Sequence, residues 1–322
     1  MSIDKLSGVS YSSINNVSGV AKSSLAKVKG VTVPSSFSNT KSLFTDGVND
    51  YFDINLASDI FDKDNGTIST WVRVDSSNTS TKWFLEAWDN SNNAQGRIAI
   101  QYFNTSGSNV FALNGQYQDQ VGASYPTRFC GAKTASSHHG KPWNRISSDY
   151  GAFGSSSDSM WNANAMKGNW HHVVLTWNTS ESYTNPSNST SYTGTMKLYL
   201  DGTIVNFGQG AYVANGGTAT AVGLNGIPST TVFDKLRIGA RFNGNNNMDA
   251  LFDEVAVYST DLSASEISAI YNSGAPNDLS SLSTSTNLVG WWRFEDNTND
   301  SSSNSNSGTL TNGATYNSSV PS

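Results

Sequence analysis

Cysteine is almost absent from this chain: Cys130 stands alone in 322 residues. A single thiol cannot close an intrachain disulfide, which excludes a disulfide-stapled scaffold. Charge is scarce too. Charged residues are 14% of the chain, against roughly 25% in an ordinary domain, so Ser, Thr and Asn carry the polarity. These residues favour turns and the outer faces of strands, and they compete with helical backbone. No dense Lys/Arg cluster occurs and the net charge is −6, which argues against a nucleic-acid partner, because phosphate must be neutralised. No apolar run is long enough to span a bilayer. The opening Met1-Ser2-Ile3-Asp4-Lys5 has no apolar stretch of the signal-peptide kind, so synthesis in the cytoplasm without secretion is expected. The seven Pro are scattered and form no Pro-rich linker.

What the chain does have is repetition, then alternation. Leu6-Ser7-Gly8-Val9 is followed by Val17-Ser18-Gly19-Val20 and Val28-Lys29-Gly30-Val31, a period of 11 residues. Each unit reads as a short apolar piece, a Gly-Val turn and a polar piece. Three such units are too small to bury a core alone, so residues 1–39 are expected to be an extended arm that tethers the chain to a partner. Leu6, Gly8, Val9, Val17, Gly19, Val20, Val28, Gly30 and Val31 are its assembly residues.

From about residue 40 the period becomes two. Apolar and polar residues alternate over 67–74, 97–103, 172–177 and 196–200, the last running into the hairpin dipeptide Asp201-Gly202. Residues 235–239 and 251–258 read as further strands. Many short strands without alternating helices predict an all-β sandwich over residues 40–322. One helix is expected at 263–273: Ser263 and Glu266 form a capping box, Leu262 is the staple, and Gly274 the stop. Residues 104–168 form a long insertion rich in aromatics, long enough to be functional and to need hairpins of its own.

These segments, taken in order, resemble the laminin-G-like, concanavalin A-like family. Ser42 to Gly47 with Tyr51-Phe52 resembles its opening strand pair, and Thr67 to Val72, around Trp71, its second landmark. Asn169 to Val174, Leu198 to Gly202, and Phe252 to Tyr258 with the helix after it resemble the rest. The implied fold is a concanavalin A-like antiparallel β-sandwich of the jelly-roll kind. Leu288 to Phe294, with 300–313, is similar to the segment that normally begins such a domain, and is expected as added strands within 287–322. The repeat arm ahead of a lectin-like sandwich resembles structural proteins of marine tailed phages.

The resemblance also implies chemistry. Related glycoside hydrolases carry Glu-x-Asp-x-x-Glu or Glu-x-Asp-x-Glu on one strand, since hydrolysis needs two carboxylates roughly 5–9.5 Å apart. Only five Glu occur here (residues 86, 181, 254, 266 and 295), and none begins that motif. Adjacent Asp253 and Glu254 should face opposite sides of a strand, so no enzyme activity is expected. His171 and His172 should likewise alternate across a strand beside Trp170, and His138-His139 read as a turn, so neither pair suits a zinc. A calcium ion, which takes about six to eight oxygens, is implied at Asp46, Asp50 and Asp253. Tyr117, Tyr125, Trp143 and Trp161 in the insertion are the implied glycan-stacking residues. No cofactor is required, and calcium is the one ion that the resemblance implies. The first reading is a non-enzymatic virion structural protein (a capsid decoration, head fibre or tail-fibre component) that sits in the virion with other virion proteins and copies of itself. The alternative is a receptor-binding lectin module recognising host-surface glycans.

Overall fold

The computed structural model describes residues 37–56, 61–90, 96–104, 111–118, 127–131, 166–184, 191–205, 222–224 and 232–322, and six two-residue strands before them. The chain divides into two compact units, Met1–Asn39 and Thr40–Ser322.

The first unit holds three hairpins: β1 (Lys5–Leu6) with β2 (Val9–Ser10), β3 (Asn16–Val17) with β4 (Val20–Ala21), and β5 (Lys27–Val28) with β6 (Val31–Thr32). The registers are equivalent: Leu6 faces Val9, Val17 faces Val20 and Val28 faces Val31. Each repeat is therefore one hairpin. Its Val starts the returning strand rather than ending the turn, and only Ser7-Gly8, Ser18-Gly19 or Lys29-Gly30 stands between the paired residues. Glycine suits such two-residue connections. A lone two-stranded hairpin is marginal in water.

The second unit is a sandwich of two antiparallel sheets. The seven-stranded sheet runs β13 (Thr127–Gly131), β12 (Phe111–Gln118), β11 (Arg97–Asn104), β10 (Lys82–Trp88), β20 (Lys235–Ile238), β8 (Tyr51–Asn55), β23 (Gly308–Thr311). The nine-stranded sheet follows the path β18 (Thr203–Ile204), β17 (Gly194–Leu200), β14 (Trp170–Asn178), β9 (Asn65–Val74), β21 (Asp249–Tyr258), β7 (Ser42–Asp46), β24 (Thr315–Asn317). In addition, β19 (Val222–Leu224) pairs with β17, and β22 (Leu288–Trp292) with β21. A small hairpin, β15 (Tyr183–Thr184) with β16 (Ser191–Tyr192), stands apart.

Alternation sends one side of each strand inward. Ile68, Val72 and Val74 of β9 and Val173, Leu175 and Trp177 of β14 share one buried cluster with Phe52, Ile54, Leu85, Ala87, Ile98, Ile100, Leu236 and Ile238 of the other sheet. Full burial of each large apolar side chain contributes roughly 1.5–3 kcal/mol. The sheets approach closely at Gly115, where an added Cβ would lie 2.3 Å from Leu175 Cδ1. Within the expected insertion, β12 and β13 form a hairpin that widens the seven-stranded sheet.

The outer face of the nine-stranded sheet is covered by α1 (Ala264–Tyr271). Ser263 Oγ accepts from the Glu266 backbone, and the Glu266 carboxylate accepts from the Ser263 backbone. Ile267 and Ile270 are buried, and the Tyr271 ring stacks 5.7 Å from Trp71 and 5.9 Å from His172. The α-helix ends at Asn272, whose left-handed φ of 48° caps it, two residues before the expected glycine stop. Asn tolerates that conformation better than most residues. The C-terminal segment then adds strands to both sheets: β22 lies beside β21, β23 beside β8, and β24 beside β7.

Candidate binding cleft

A shallow open cleft of about 100 Å³ lies at one end of the nine-stranded sheet, where β7, β9, β21 and β24 meet. Phe44, Arg73, Asp75, Asp249, Leu251 and Asn317 line it. The sequence builds it by alternation. Leu43 and Phe252 face the core, so their neighbours Phe44 and Leu251 face outward. Phe44 is half-buried, whereas Asp75 and Asn317 are exposed.

Backbone and side-chain bonds fix the rim. Asn78 is buried. Its amide donates to Asp75 O (2.9 Å) and Asp249 O (2.7 Å), and its Oδ1 accepts from Asp249 N (3.1 Å). Ser77 Oγ donates to Asp249 Oδ2 at 2.7 Å. The turn at 75–78 is thereby pinned to the start of β21. On the other side, Arg73 Nη1 and Trp170 Nε1 both donate to Ser319 Oγ, at 2.8 and 3.4 Å.

The cleft is acidic. Burial raises the Asp249 carboxyl above its ordinary value; the Ser77 bond opposes this, and Asp75 and Asp46 add to it. Asp50 is raised by burial and then by Asp46. Lys82 is lowered by burial, which the charge of Asp249 partly offsets. The arrangement offers an aromatic face, two carboxylates, a guanidinium and an amide to one polar ligand.

The expected site residues distribute unevenly. Asp46 and Asp50 come together, with Asp50 Oδ2 accepting from Asp46 N at 3.3 Å. Asp253 does not join them. Asp46 stands opposite Asp249, and Asp253 opposite Trp71. Four residues of strand separate the two positions by about 13 Å. Asp50 already serves the Asp46 backbone, and Asp253 Oδ1 accepts from Glu254 N at 2.8 Å. Among the described residues no three His, Cys, Asp or Glu gather as a metal would need. The implied calcium trio therefore does not fit one ion. Glu254, with φ 48°, sits in a bulge where β21 leaves β7 for β22, so strict alternation of Asp253 and Glu254 fails there.

Tyr117 falls on β12, opposite Ile98 and Arg128. Tyr125, Trp143, Trp161, His138 and His139 lie outside the described residues, as do Gly8, Gly19 and Gly30 of the arm. His171 and His172 part as adjacent strand residues should. His171 Nδ1 meets Asp201 Oδ2 at 2.8 Å, while His172 is buried with Nε2 2.7 Å from Ser69 Oγ. Phe44, Arg73, Asp75, Asp249 and Asn317 were not singled out from sequence. Asp249 had one signal, an Asp at the same parity as Asp253 in a single alternating run.

Residues 144–268 match the sequence profile of a laminin G-type family described as the concanavalin A-like lectin/glucanases superfamily. No curated protein sequence matches the chain. Among solved structures, a SAP-like heptameric pentraxin from Limulus polyphemus is similar at 10% identity and TM-score 0.41, over 72% of this chain and 82% of the pentraxin. A Bacteroides ovatus protein described as a proposed carbohydrate binder aligns at 14% identity and TM-score 0.46, over 93% of this chain and 67% of that one. Domains LG4-5 of the mouse laminin α1 chain align at 14% identity and TM-score 0.38 over 71% of this chain, which spans 44% of that structure.

Proposed function

We propose that the chain is a non-enzymatic lectin-like module that holds a glycan in the cleft at the ends of β7, β9 and β21. The observation that carries this reading is the convergence of Phe44, Arg73, Asp75, Asp249 and Asn317 on one open cleft. A sugar presents apolar C–H faces and a ring of hydroxyls. An aromatic ring suits the first; carboxylates, an amide and a guanidinium suit the second. The family profile matched by 144–268 includes lectins and glucanases, and the five Glu favour the lectin side. Glu86 holds the Phe242 backbone, Glu181 pairs with Lys197, Glu254 takes bonds from Trp291 and Arg293, Glu266 caps α1, and Glu295 holds Thr40. Each Glu thus holds a bond of the fold, and none is among the residues that line the cleft. Screening the purified chain against immobilised glycans tests the reading; hydrolysis of a bound glycan would contradict it.

A second reading, a structural component of a larger assembly such as a virion, draws on the arm. Three hairpins of equivalent register at 11-residue spacing suit serial docking on repeated partner surfaces, on other virion proteins or on copies of the chain. The two readings are compatible, with the arm tethering and the sandwich displayed.

A further inference from the structure

The outer face of the seven-stranded sheet carries a second polar constellation, separate from the cleft. Glu86 and Trp88 of β10 share this face, since Leu85 and Ala87 face the core. Register places Arg97 opposite Trp88, Arg237 opposite Glu86, and Asp53 beyond Arg237. Among the described residues three guanidinium groups thus meet two carboxylates, with Arg241 arriving from the loop that follows β20. This happens in a chain whose net charge is −6.

The three arginines are not equivalent. Arg237 is spent: its Nε and Nη2 donate to Asp53, and its Nη1 donates to Arg241 O (3.2 Å) and Phe242 O (3.0 Å). Arg97 lies 3.5 Å from Glu86 Oε1. Burial raises the Glu86 carboxyl above its ordinary value, with Arg97 opposing. Arg241 makes no close ion pair among the described residues; its charge acts on Glu86 at longer range, and its Nε is buried without a hydrogen-bond acceptor. Its guanidinium lies 5.3 Å from the Trp83 ring centroid and 5.1 Å from that of Phe242. Arg97 stands 5.1 Å from the same Phe242 ring.

The loop carrying Arg241 is fixed in place. Phe242 N donates to Glu86 Oε2 at 2.7 Å, Arg241 N to Asn245 O at 2.9 Å, Gly244 N to Arg241 O at 2.8 Å, and Asn246 Nδ2 to Thr81 O at 3.1 Å. Asn243 and Asn245 are exposed at its tip. Glu86 is shared by Arg97, Arg241 and Arg237, so the half-buried Arg241 is incompletely neutralised, and a planar guanidinium pairs best with a carboxylate or an oxyacid. Because the loop is fixed beforehand, little ordering cost attends binding.

We propose that Arg241 and Arg97, both packed on the Phe242 ring, form a subsite for an anionic sugar, one bearing a carboxylate or a sulfate. Arg241 supplies the planar donor pair, Arg97 adds charge, and the Asn243 and Asn245 amides reach neighbouring hydroxyls. The site is on the other sheet from the cleft and does not depend on it.

The test is calorimetric titration of the full chain with three oligosaccharides of equal length: a uronate chain without sulfate, a sulfated galactan without carboxylate, and a neutral chain. At least one acidic ligand should bind, more weakly as salt rises. Arg241→Ala should weaken that binding tenfold or more, and Arg241→Lys should weaken it less. Val48→Ala, exposed and outside both sites, should leave it unchanged. Which acidic ligand binds tells carboxylate from sulfate recognition. Failure of both acidic ligands to bind, or full affinity retained by Arg241→Ala and by Arg241→Gln with unchanged melting temperatures, would overturn the proposal.

Discussion

Asp249 stands directly opposite Asp46 across the β7–β21 pair, 203 positions apart in the chain. Like charges facing each other in a sheet repel, and Asp46 is one of the groups that raise Asp249. Asp46→Asn should therefore stabilise the sandwich at pH 7, while its Oδ1 keeps the bond to Val48 N. The gain should shrink toward pH 3, as Asp249, whose carboxyl burial raises, takes up its proton. Urea midpoints at the two pH values measure it. A loss of stability at pH 7 would mean that the pair is held together by something other than its own strands.

Two buried groups should tilt stability with pH in opposite directions. Burial pushes Glu254 up to about 7, against Arg293 and Trp291. The folded chain then holds a proton that the unfolded chain releases above about pH 4.5, so this contribution is full below that pH and lost as pH rises through 7. Burial pushes His172 down to about 4, and the charge of Asp201 offsets this in part. Its contribution is full above about pH 6.5 and lost as pH falls through 4. Each amounts to about 3 kcal/mol, and between pH 5 and 8 they largely cancel. Glu254→Gln should make stability rise from pH 5 to pH 8, and His172→Gln should make it fall. Parallel pH profiles for the two variants would refute both assignments.

The C-terminal strands should melt with the main core. Phe52 is fully buried, packs edge-on against Phe294 at 5.1 Å, and would meet a Cβ added at Gly308 at 2.1 Å. Glycine is thus required where β23 crosses this ring. Gly308→Ala should cost about 1–3 kcal/mol, as overpacking does, in one cooperative transition. A separate early transition would make residues 288–322 an independent appendage.

Removing residues 1–36 should leave the sandwich folded but abolish attachment to any assembly. The arm has few apolar groups, and ordering costs roughly 1–2 kcal/mol per residue of backbone, so partner contacts must supply the rest. Thermal melting of the truncated chain and its incorporation into particles measure the two halves of this claim. Incorporation at wild-type occupancy would move the tether to the sandwich.

Local patterns announced much of this architecture. The run Thr67 to Val74 alternates and is a strand; Ser263 and Glu266 three residues apart make the capping box that the helix uses. The period-11 repeat marks three like hairpins, although it does not say that Val9, Val20 and Val31 lie on the returning strand. The cleft was less legible because it depends on registers between distant strands. Nothing near Phe44 says that Asp249 and Asn317 will stand beside it. Arg241-Phe242-Asn243 reads as an ordinary turn until Glu86, 156 residues earlier, is seen to hold the Phe242 backbone. The bulge at Glu254 likewise follows from β21 changing partners from β7 to β22, which no window of a few residues contains.

The central claim is that the cleft binds a glycan without cleaving it. Isothermal titration of the strongest neutral ligand from a glycan screen into wild type, Phe44→Ala and Asp249→Asn tests this most directly, with sugar analysis of the spent solution. The prediction is a single site on wild type, an affinity lowered tenfold or more by each substitution, and the ligand recovered intact. Binding at full affinity to both variants, or a shortened ligand, would contradict it.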